Sequence, residues 1–378
     1  MYSVFDYGRM AADSVRMDAY ARAIQAKLKP GAVVLDLGAG TGIVSLLAAR
    51  LGAKRVHAVD PNPAVWLIPE LAAENGLADR IQIHQASSLE MRVPEPVDLV
   101  VSDLRGATPL LGDHITALSD VRRRWLAPAG AIVPMRDRLQ VAVVEAEAIA
   151  AKLDSAGTSF ARFGFGATAV RQSIHNQVYS DSIAPLQGSD LMSTAATWAT
   201  LDYGSFDASS VDGTVELEIT RGGTARGLTM FFETELAEGI GFATTPGQAL
   251  VYGRMYLPFL SAVTVAVGDR VHVTLRADVR GERWAWDTTL LDSKGMEKAT
   301  FRQATFLGEP ASMPLMLRGS AKSTPKLSAR GERMRDALAA MDGTRTVKEI
   351  ADLVQSRYPD CHADVSLEVR SAATRFSE

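Results

Sequence analysis

The stretch Val33-Val-Leu-Asp-Leu-Gly-Ala-Gly-Thr-Gly42 decides how the first third of the chain is read. A largely apolar run enters a turn with glycines at 38, 40 and 42, and a run of good helix formers, Ile43 to Leu51, follows at once. A second apolar run, Arg55 to Val59, ends in Asp60. Glycines let the backbone turn tightly and approach a ligand where a Cβ would collide. An acid at the tip of the next strand stands where a carboxylate takes both hydroxyls of a ribose. A dinucleotide site wants Gly-x-Gly-x-x-Gly, with the last glycine opening the helix for a pyrophosphate. Here the spacing is Gly-x-Gly-x-Gly, and Asp36 ahead of it repels a pyrophosphate but suits the ammonium of an amino-acid moiety.

Working outward, strand and helix patterns alternate over Val33–Leu37, Ile43–Leu51, Arg55–Val59, Ala64–Asn75, Ile81–His84, Val97–Ser102, Ile115–Trp125 and Ala131–Pro134. Such alternation predicts a parallel sheet covered by helices, with ligands at the carboxyl ends of its strands. Gly38 to Gly42, Asp60, Ser87 and Asp103 all fall there. Upstream, residues 1–30 read as helix, and Asp13 is placed to cap a segment from Ser14 to Leu28 that Pro30-Gly31 stops. After residue 136 the texture changes: Leu139–Glu145, Val215–Thr220, Leu228–Glu235, Ala249–Leu257 and Arg270–Asp278 alternate apolar and polar residues, which predicts antiparallel strands in a sandwich or barrel.

The bulk composition excludes several classes. At 378 residues, the chain is long for one core. Hydrophobic content of 47% with 22% charged residues is that of a globular protein. A net charge of −4 gives no basic surplus to favour nucleic acid. No segment approaches the ~18 uninterrupted apolar residues of a membrane helix. The N-terminus lacks the regions of a signal peptide. The single cysteine, Cys361, excludes an internal disulfide and a cysteine zinc site, and fits a reducing cytoplasm.

Motif and acid together resemble motif I of class I S-adenosylmethionine (SAM) methyltransferases. Three further segments narrow the likeness: Met10-Ala-Ala-Asp13-Ser-Val-Arg16, Val101-Ser-Asp103-Leu-Arg-Gly106, and Arg124-Trp-Leu-Ala-Pro-Ala-Gly130-Ala-Ile-Val-Pro134. They resemble the protein arginine methyltransferase family, which joins a Rossmann-like SAM-binding domain to a β-barrel. Gly164-Phe-Gly166 is similar to the start of its dimerisation arm, and Gly227-Leu-Thr-Met-Phe-Phe-Glu233 with Gly241-Phe-Ala-Thr-Thr-Pro246 to its later strands. The likeness spans residues 5–307. It implies a SAM domain over 1–135, a β-barrel over 136–307 with an arm near 160–200, and a homodimer.

The resemblance also implies roles. SAM is the cofactor and S-adenosylhomocysteine the product. Asp36 and Gly38 line the methionine end, Gly40 and Gly42 are further cofactor-binding positions, Arg16 pairs with the SAM carboxylate, and Met10 lies near the sulfonium. Asp60 holds the ribose, with Pro61 a further cofactor-binding position, while Ser87 or Ser88 and Leu89 lie where the adenine is gripped. Asp103 matches the first of two substrate-gripping glutamates, shorter by one methylene, and borders the cofactor as well. The second position is Gly112, with Asp113 beside it. The family's Trp-Met is Leu104-Arg105 here, and its Thr-His-Trp is Val251-Tyr252-Gly253. A lid helix over the cofactor is expected to be missing, because the chain begins too late for it.

Arg105 either pairs with Asp103 or receives an anionic acceptor, since a planar fork suits a carboxylate. His114 and His175 are candidate bases toward a less acidic acceptor, although Asp113-His114 also fits the cap of the next helix.

Residues 308–327, with Pro310, Pro314 and Pro325, read as a linker. Beyond it, a helix runs from Ser328 to Met341 and Asp342-Gly343 turns the chain. Thr346 and Glu349 form a capping box for a second helix, and Asp364–Ala373 is a third. This 328–378 segment resembles the PqqD-like module, a small helical winged-helix domain that binds leader peptides. The combined expectation is a cytoplasmic SAM-dependent methyltransferase acting on a peptide, a ribosomally made precursor held by the tail, at a carboxylate oxygen or side-chain nitrogen. The alternatives are an arginine N-methyltransferase with a relaxed double-glutamate loop, and a SAM-binding scaffold subunit without turnover.

Overall fold

The computed structural model describes residues 2–92, 94–310, 312–318, 320–359 and 364–376, so Cys361 lies outside the described residues. The chain forms two compact units, 1–309 and 310–378.

The first unit opens with α1 (Val4–Ala12) and α2 (Ser14–Lys27), followed by β1 (Val33–Leu37), α3 (Ile43–Arg50), β2 (Arg55–Val59), α4 (Ile68–Glu74), β3 (Ile81–His84), β4 (Val97–Ser102), α5 (His114–Arg124) and β5 (Leu126–Val133). The five strands pair in parallel in the order β3-β2-β1-β4-β5, because each apolar run is followed by a crossover rather than a tight turn. The order reverses between β1 and β4, the switch point where a ligand crevice opens.

Alternate residues of β1 and β4 face opposite layers. Val34, Leu99 and Val101 pack on Ala19, Tyr20, Ala23 and Ile24 of α2 and on Ala48 and Ala49 of α3. Leu35, Leu37 and Val100 join Ile115, Leu118 and Val121 of α5 in a core that continues into the second half of the unit.

Asp13 caps α2 as expected, its side chain accepting from the Arg16 N–H at 3.1 Å. Ahead of it the sequence reading is corrected. A separate helix, α1, stands where a lid was expected to be missing, closed by a capping box between Ser3 and Asp6.

The second half contains β6 (Arg136–Val144), α6 (Glu147–Thr158), α7 (Thr168–His175), β7 (Tyr179–Ser180), β8 (Ala196–Asp202), β9 (Ser210–Glu218), β10 (Gly223–Ala237), β11 (Ile240–Ala243), β12 (Met255–Val265), β13 (Arg270–Asp278), β14 (Trp284–Leu291), β15 (Glu297–Ala304) and α8 (Thr305–Gly308). In place of one barrel ladder there are two antiparallel sheets. One runs β7-β12-β10-β6-β8 with β11 on β10, and the other runs β15-β14-β13-β9. No pairing closes them into a continuous barrel among the described residues. Phe232, Leu257, Val273, Leu275 and Trp286 fill the space between them. The weakly patterned region 160–200 contains α7, β7 and the start of β8.

The second unit holds α9 (Met313–Arg318), α10 (Ala329–Ala339), α11 (Val347–Arg357) and α12 (Val365–Phe376). α9 falls inside the segment read as a linker. Ser328 caps α10, and the Thr346–Glu349 capping box starts α11 as the sequence predicts. Ala337, Ile350, Ala351, Val354, Val365 and Val369 make a small core. No strand, and so no wing, occurs in this unit among the described residues.

Candidate functional site

At the carboxyl ends of β1, β2 and β4 the chain encloses a cavity of about 290 Å³. Asp36, Gly38, Ala39 and Asp60 form one end, Tyr2, Tyr7 and Met10 cover it, and Asp103, Leu104, Tyr252 and Gly253 form the other end.

The glycine turn is built for close approach. Gly38 and Gly40 have φ of 84° and 53°, in the left-handed region that side chains disfavour. A Cβ on Gly38 would stand 2.4 Å from Leu104 Cδ2, and one on Gly40 2.4 Å from the Tyr7 ring. Gly42 faces Ile68 instead, so the third glycine serves packing of α3 against α4.

Asp60 is fixed by backbone donors: Gly40 N–H reaches Oδ2 and Asn62 N–H reaches Oδ1, each at 2.7 Å. Asp36 accepts from the Ser45 hydroxyl at 2.6 Å. Burial pushes the Asp36 carboxyl up to about 7; the Ser45 bonds oppose this and Asp60 adds to it. Burial, with Asp60 beside it, likewise pushes the Tyr7 phenol up to about 12.

At the other end lies a buried chain of alternating charges. Arg16 Nε donates to Asp103 Oδ2 at 2.5 Å, and the Tyr252 hydroxyl donates to the same oxygen at 2.6 Å. Arg105 Nε donates to Asp103 Oδ1 at 3.2 Å. Arg105 Nη1 donates to Asp137 Oδ1 at 2.9 Å and to Thr234 Oγ1 at 2.7 Å, and Nη2 donates to the Tyr20 hydroxyl at 2.6 Å. Tyr203 donates to Asp137 Oδ2 at 2.6 Å. Burial by itself would raise the Asp103 carboxyl, but Arg16 and Arg105 overcome it and hold the group at about 2. Two arginines balance two aspartates, which is how such charges tolerate an interior site.

Several expected site residues stand elsewhere or act differently. Arg105 borders the cavity, but its side chain is fully buried and bonded to Asp103, Asp137, Thr234 and Tyr20. Pairing with Asp103 is therefore the outcome, and the role of receiving an acceptor carboxylate is withdrawn. Asp113 does not border the cavity; it is 60% exposed and pairs with Arg280 at 3.2 Å. It occupies the N-cap position of α5 without a side-chain capping bond.

His114 is sealed in the core against Tyr203 at 3.1 Å. Burial, then Arg105, drives its pKa down to about 3, so it is neutral and away from any acceptor. His175 lies on α7, lining a different cavity. Pro61 is exposed beside Asp60, while Ser87, Ser88 and Leu89 follow β3 without lining the cavity. Arg16 does line it, as do Met10, Asp36 and Gly38.

Tyr7, Tyr252 and Asp137 escape the sequence reading as site residues. Tyr252 had a signal: it occupies the middle of the Thr-His-Trp position, where another hydrogen-bonding side chain replaces histidine.

The family model described as ribosomal protein L11 methyltransferase (PrmA) matches residues 20–133. Protein arginine N-methyltransferase 6 of Danio rerio is 29% identical over 51% of this chain and 56% of its own length. Protein arginine N-methyltransferase 1 of Chlamydomonas reinhardtii is 27% identical over 71% of this chain and 79% of its own. The chain thus spans little more than half of the zebrafish relative. The crystal structure of Arabidopsis thaliana protein arginine methyltransferase 10 shares the fold, with a TM-score of 0.71 at 19% identity, covering 80% of this chain and 97% of that one. In sequence, residues 20–133 are similar to class I methyltransferases, and in fold the chain shares the architecture of the arginine methyltransferases.

Proposed function

We propose that this chain methylates a peptide, at a carboxylate oxygen or a side-chain nitrogen that already carries a free lone pair. The observation that supports this reading most directly is the single cavity joining the Asp36–Asp60 end to the Asp103–Tyr252 end. The residues at the first end fit SAM. Gly38 and Gly40 leave no Cβ in the way, Asp60 is oriented for a ribose by two backbone donors, and Asp36 is a buried carboxyl that an ammonium would keep ionised. Arg16, bonded to Asp103 at the other end, is a cation whose field also reaches Asp36. When bound, SAM supplies an electrophilic methyl group on a sulfonium.

The second end bears on the acceptor. Gripping a guanidinium takes open carboxylates, yet both oxygens of Asp103 are engaged by Arg105, Arg16 and Tyr252. The second glutamate position is Gly112. Asp103 is held ionised at about 2, too weak a base to take a proton from a neutral acceptor. What remains for the protein is to exclude water and align an acceptor that needs no deprotonation, and positioning alone supplies a large share of such rates. The arginine N-methyltransferase reading draws on the names of the relatives, and requires Asp103 to exchange one internal partner for the substrate.

The peptide is read as a ribosomally made precursor engaged by the helices of the second unit, and the active form as a homodimer. Intact mass spectrometry with fragmentation tests the proposal. Arginine-rich peptides, and peptides with free and amidated C-termini, are incubated with protein and SAM. A methyl on a carboxylate or an amine supports it, a methyl on a guanidinium favours the arginine reading, and SAM binding with no methylated product favours a scaffold.

A further inference from the structure

A second cavity, of about 220 Å³, lies between α6, α7 and the strands β10 and β12, and shares no lining residue with the first. Its origin is a large irregularity in the ladder. Ala225 pairs with Val263 and Gly227 with Pro258, so Phe259 to Ala262 of β12 stand opposite the single residue Arg226. Bulges re-aim side chains in this way. Gly227 permits the approach, since a Cβ there would lie 2.5 Å from the Leu257 carbonyl oxygen, and Tyr256 fixes the turn by donating its hydroxyl to the Arg226 carbonyl at 2.9 Å. On the helical side, a Cβ on Gly157 would lie 2.8 Å from Arg171 Cγ, so this glycine lets α7 carry Arg171 tight against α6.

The lining is cationic over an apolar floor. Arg171 and Arg226 border the cavity, and neither has an ion pair among the described residues. Arg226 Nε is buried without a hydrogen-bond partner, which leaves this guanidinium short of acceptors at the cavity wall. His175 directs Nδ1 to the Arg171 carbonyl at 2.9 Å, leaving Nε2 at 3.8 Å from Asp154, the one acid in the lining. In the lining two guanidinium groups face one carboxylate, and Glu145, which also feels Arg226 from outside the lining, is paired with Arg221 at 2.8 Å, so a single positive charge is left over that matches a monoanion better than a phosphate dianion. Leu153, Phe259 and Leu260 supply apolar surface beside it.

We propose that this cavity binds a carboxylate attached to an apolar body, held by Arg226 and Arg171. An acidic residue between apolar residues of a peptide and a free aliphatic acid share that chemistry. The test is calorimetric titration of the full chain with a capped peptide carrying one glutamate between apolar residues, with its glutamine counterpart, with hexanoate and with inorganic phosphate.

The glutamate peptide or hexanoate is expected to bind, and the one that does identifies the source. The glutamine counterpart, Arg226→Gln and Arg171→Gln are each expected to weaken that binding by about tenfold, the scale of one charged hydrogen bond, with SAM affinity unchanged. Arg171 is exposed, so its variant tests the site even where Arg226→Gln folds poorly. Equal binding of the glutamine peptide, carboxylate binding unchanged in Arg171→Gln, tighter binding of phosphate, or no binding of either carboxylate overturns the proposal. No readout depends on methyl transfer, so failure here and failure of the methyltransferase reading are distinguishable.

Discussion

The Tyr252 hydroxyl donates to Asp103 Oδ2 across 2.6 Å, bridging 149 positions of sequence. Asp103 sits just past β4 of the parallel sheet, and Tyr252 lies between β11 and β12 of the antiparallel half. Arg16 Nε donates to that same oxygen and approaches the tyrosine hydroxyl at 3.2 Å. One triad therefore joins α2, the tip of β4 and the strand domain.

Tyr252→Phe isolates this link. The ring keeps its stacking on Phe242 at 5.6 Å and its edge contact with Phe232, so only the hydroxyl is lost. Unfolding in urea is expected to show a loss of about 1 kcal/mol, the net scale of one hydrogen bond. Methyl transfer should fall about tenfold while SAM affinity holds. Unchanged turnover would mean that Asp103 needs no help from Tyr252.

Arg105→Gln should act on stability first. The arginine is enclosed by the rings of Phe232, Phe242 and Tyr252, with its charge between Asp103 and Asp137. Removing it leaves Asp137, itself fully buried, without its cation, a change that costs about 3–5 kcal/mol. Urea melts of Arg105→Gln, and of the same variant with Asp137→Asn, check this: the double variant should recover part of the loss. A single variant as stable as the parent would contradict the structural role assigned here.

The parallel sheet was legible because its signals are local. Glycines at 38, 40 and 42 sit between an apolar run and a helical one, and Asp60 follows within twenty residues. The charge chain was not, because its bonds join Arg105 to Asp137, Tyr20 and Thr234, which are 32, 85 and 129 positions away. In sequence Arg105 reads either as a partner of Asp103 or as an available cation, and only packing reveals Asp137, Tyr20 and Thr234. Residues 1–30 read as helix, but the position of α1 as a lid escaped for another reason. It buries none of its residues, so no core contact fixes where it lies, and its place over Gly40 becomes visible only from the Tyr7 ring. The caps at Asp13 and Thr346 were readable, since a capping bond spans three residues.

Asp60→Ala should weaken SAM binding by about 1–3 kcal/mol, the range for hydrogen bonds to a charged group. The variant also frees the Gly40 and Asn62 N–H groups that the carboxylate now accepts from. Asp60→Asn keeps one acceptor oxygen and should lose less. Titration calorimetry with SAM separates the two, and an unaltered affinity in Asp60→Ala would remove the ribose from this end of the cavity.

The two ends of the cavity should respond to pH in opposite senses. Asp103 has its folded pKa depressed to about 2, from a reference of 3.8. Its stabilising contribution is therefore complete above about pH 4 and is lost as pH falls through about 2. Asp36 is raised from 3.8 to about 7. Without cofactor, its contribution is complete below about pH 4 and is lost as pH rises through about 7, where the buried group must ionise. An ammonium beside Asp36 favours that ionised form. SAM affinity should then climb between about pH 6 and about pH 8, as the proton to be displaced from Asp36 is no longer there. In Asp36→Asn the same titration should be flat over this range and weaker throughout. A parent affinity that does not change with pH would place the cofactor ammonium away from Asp36 and undo the assignment of this end of the cavity.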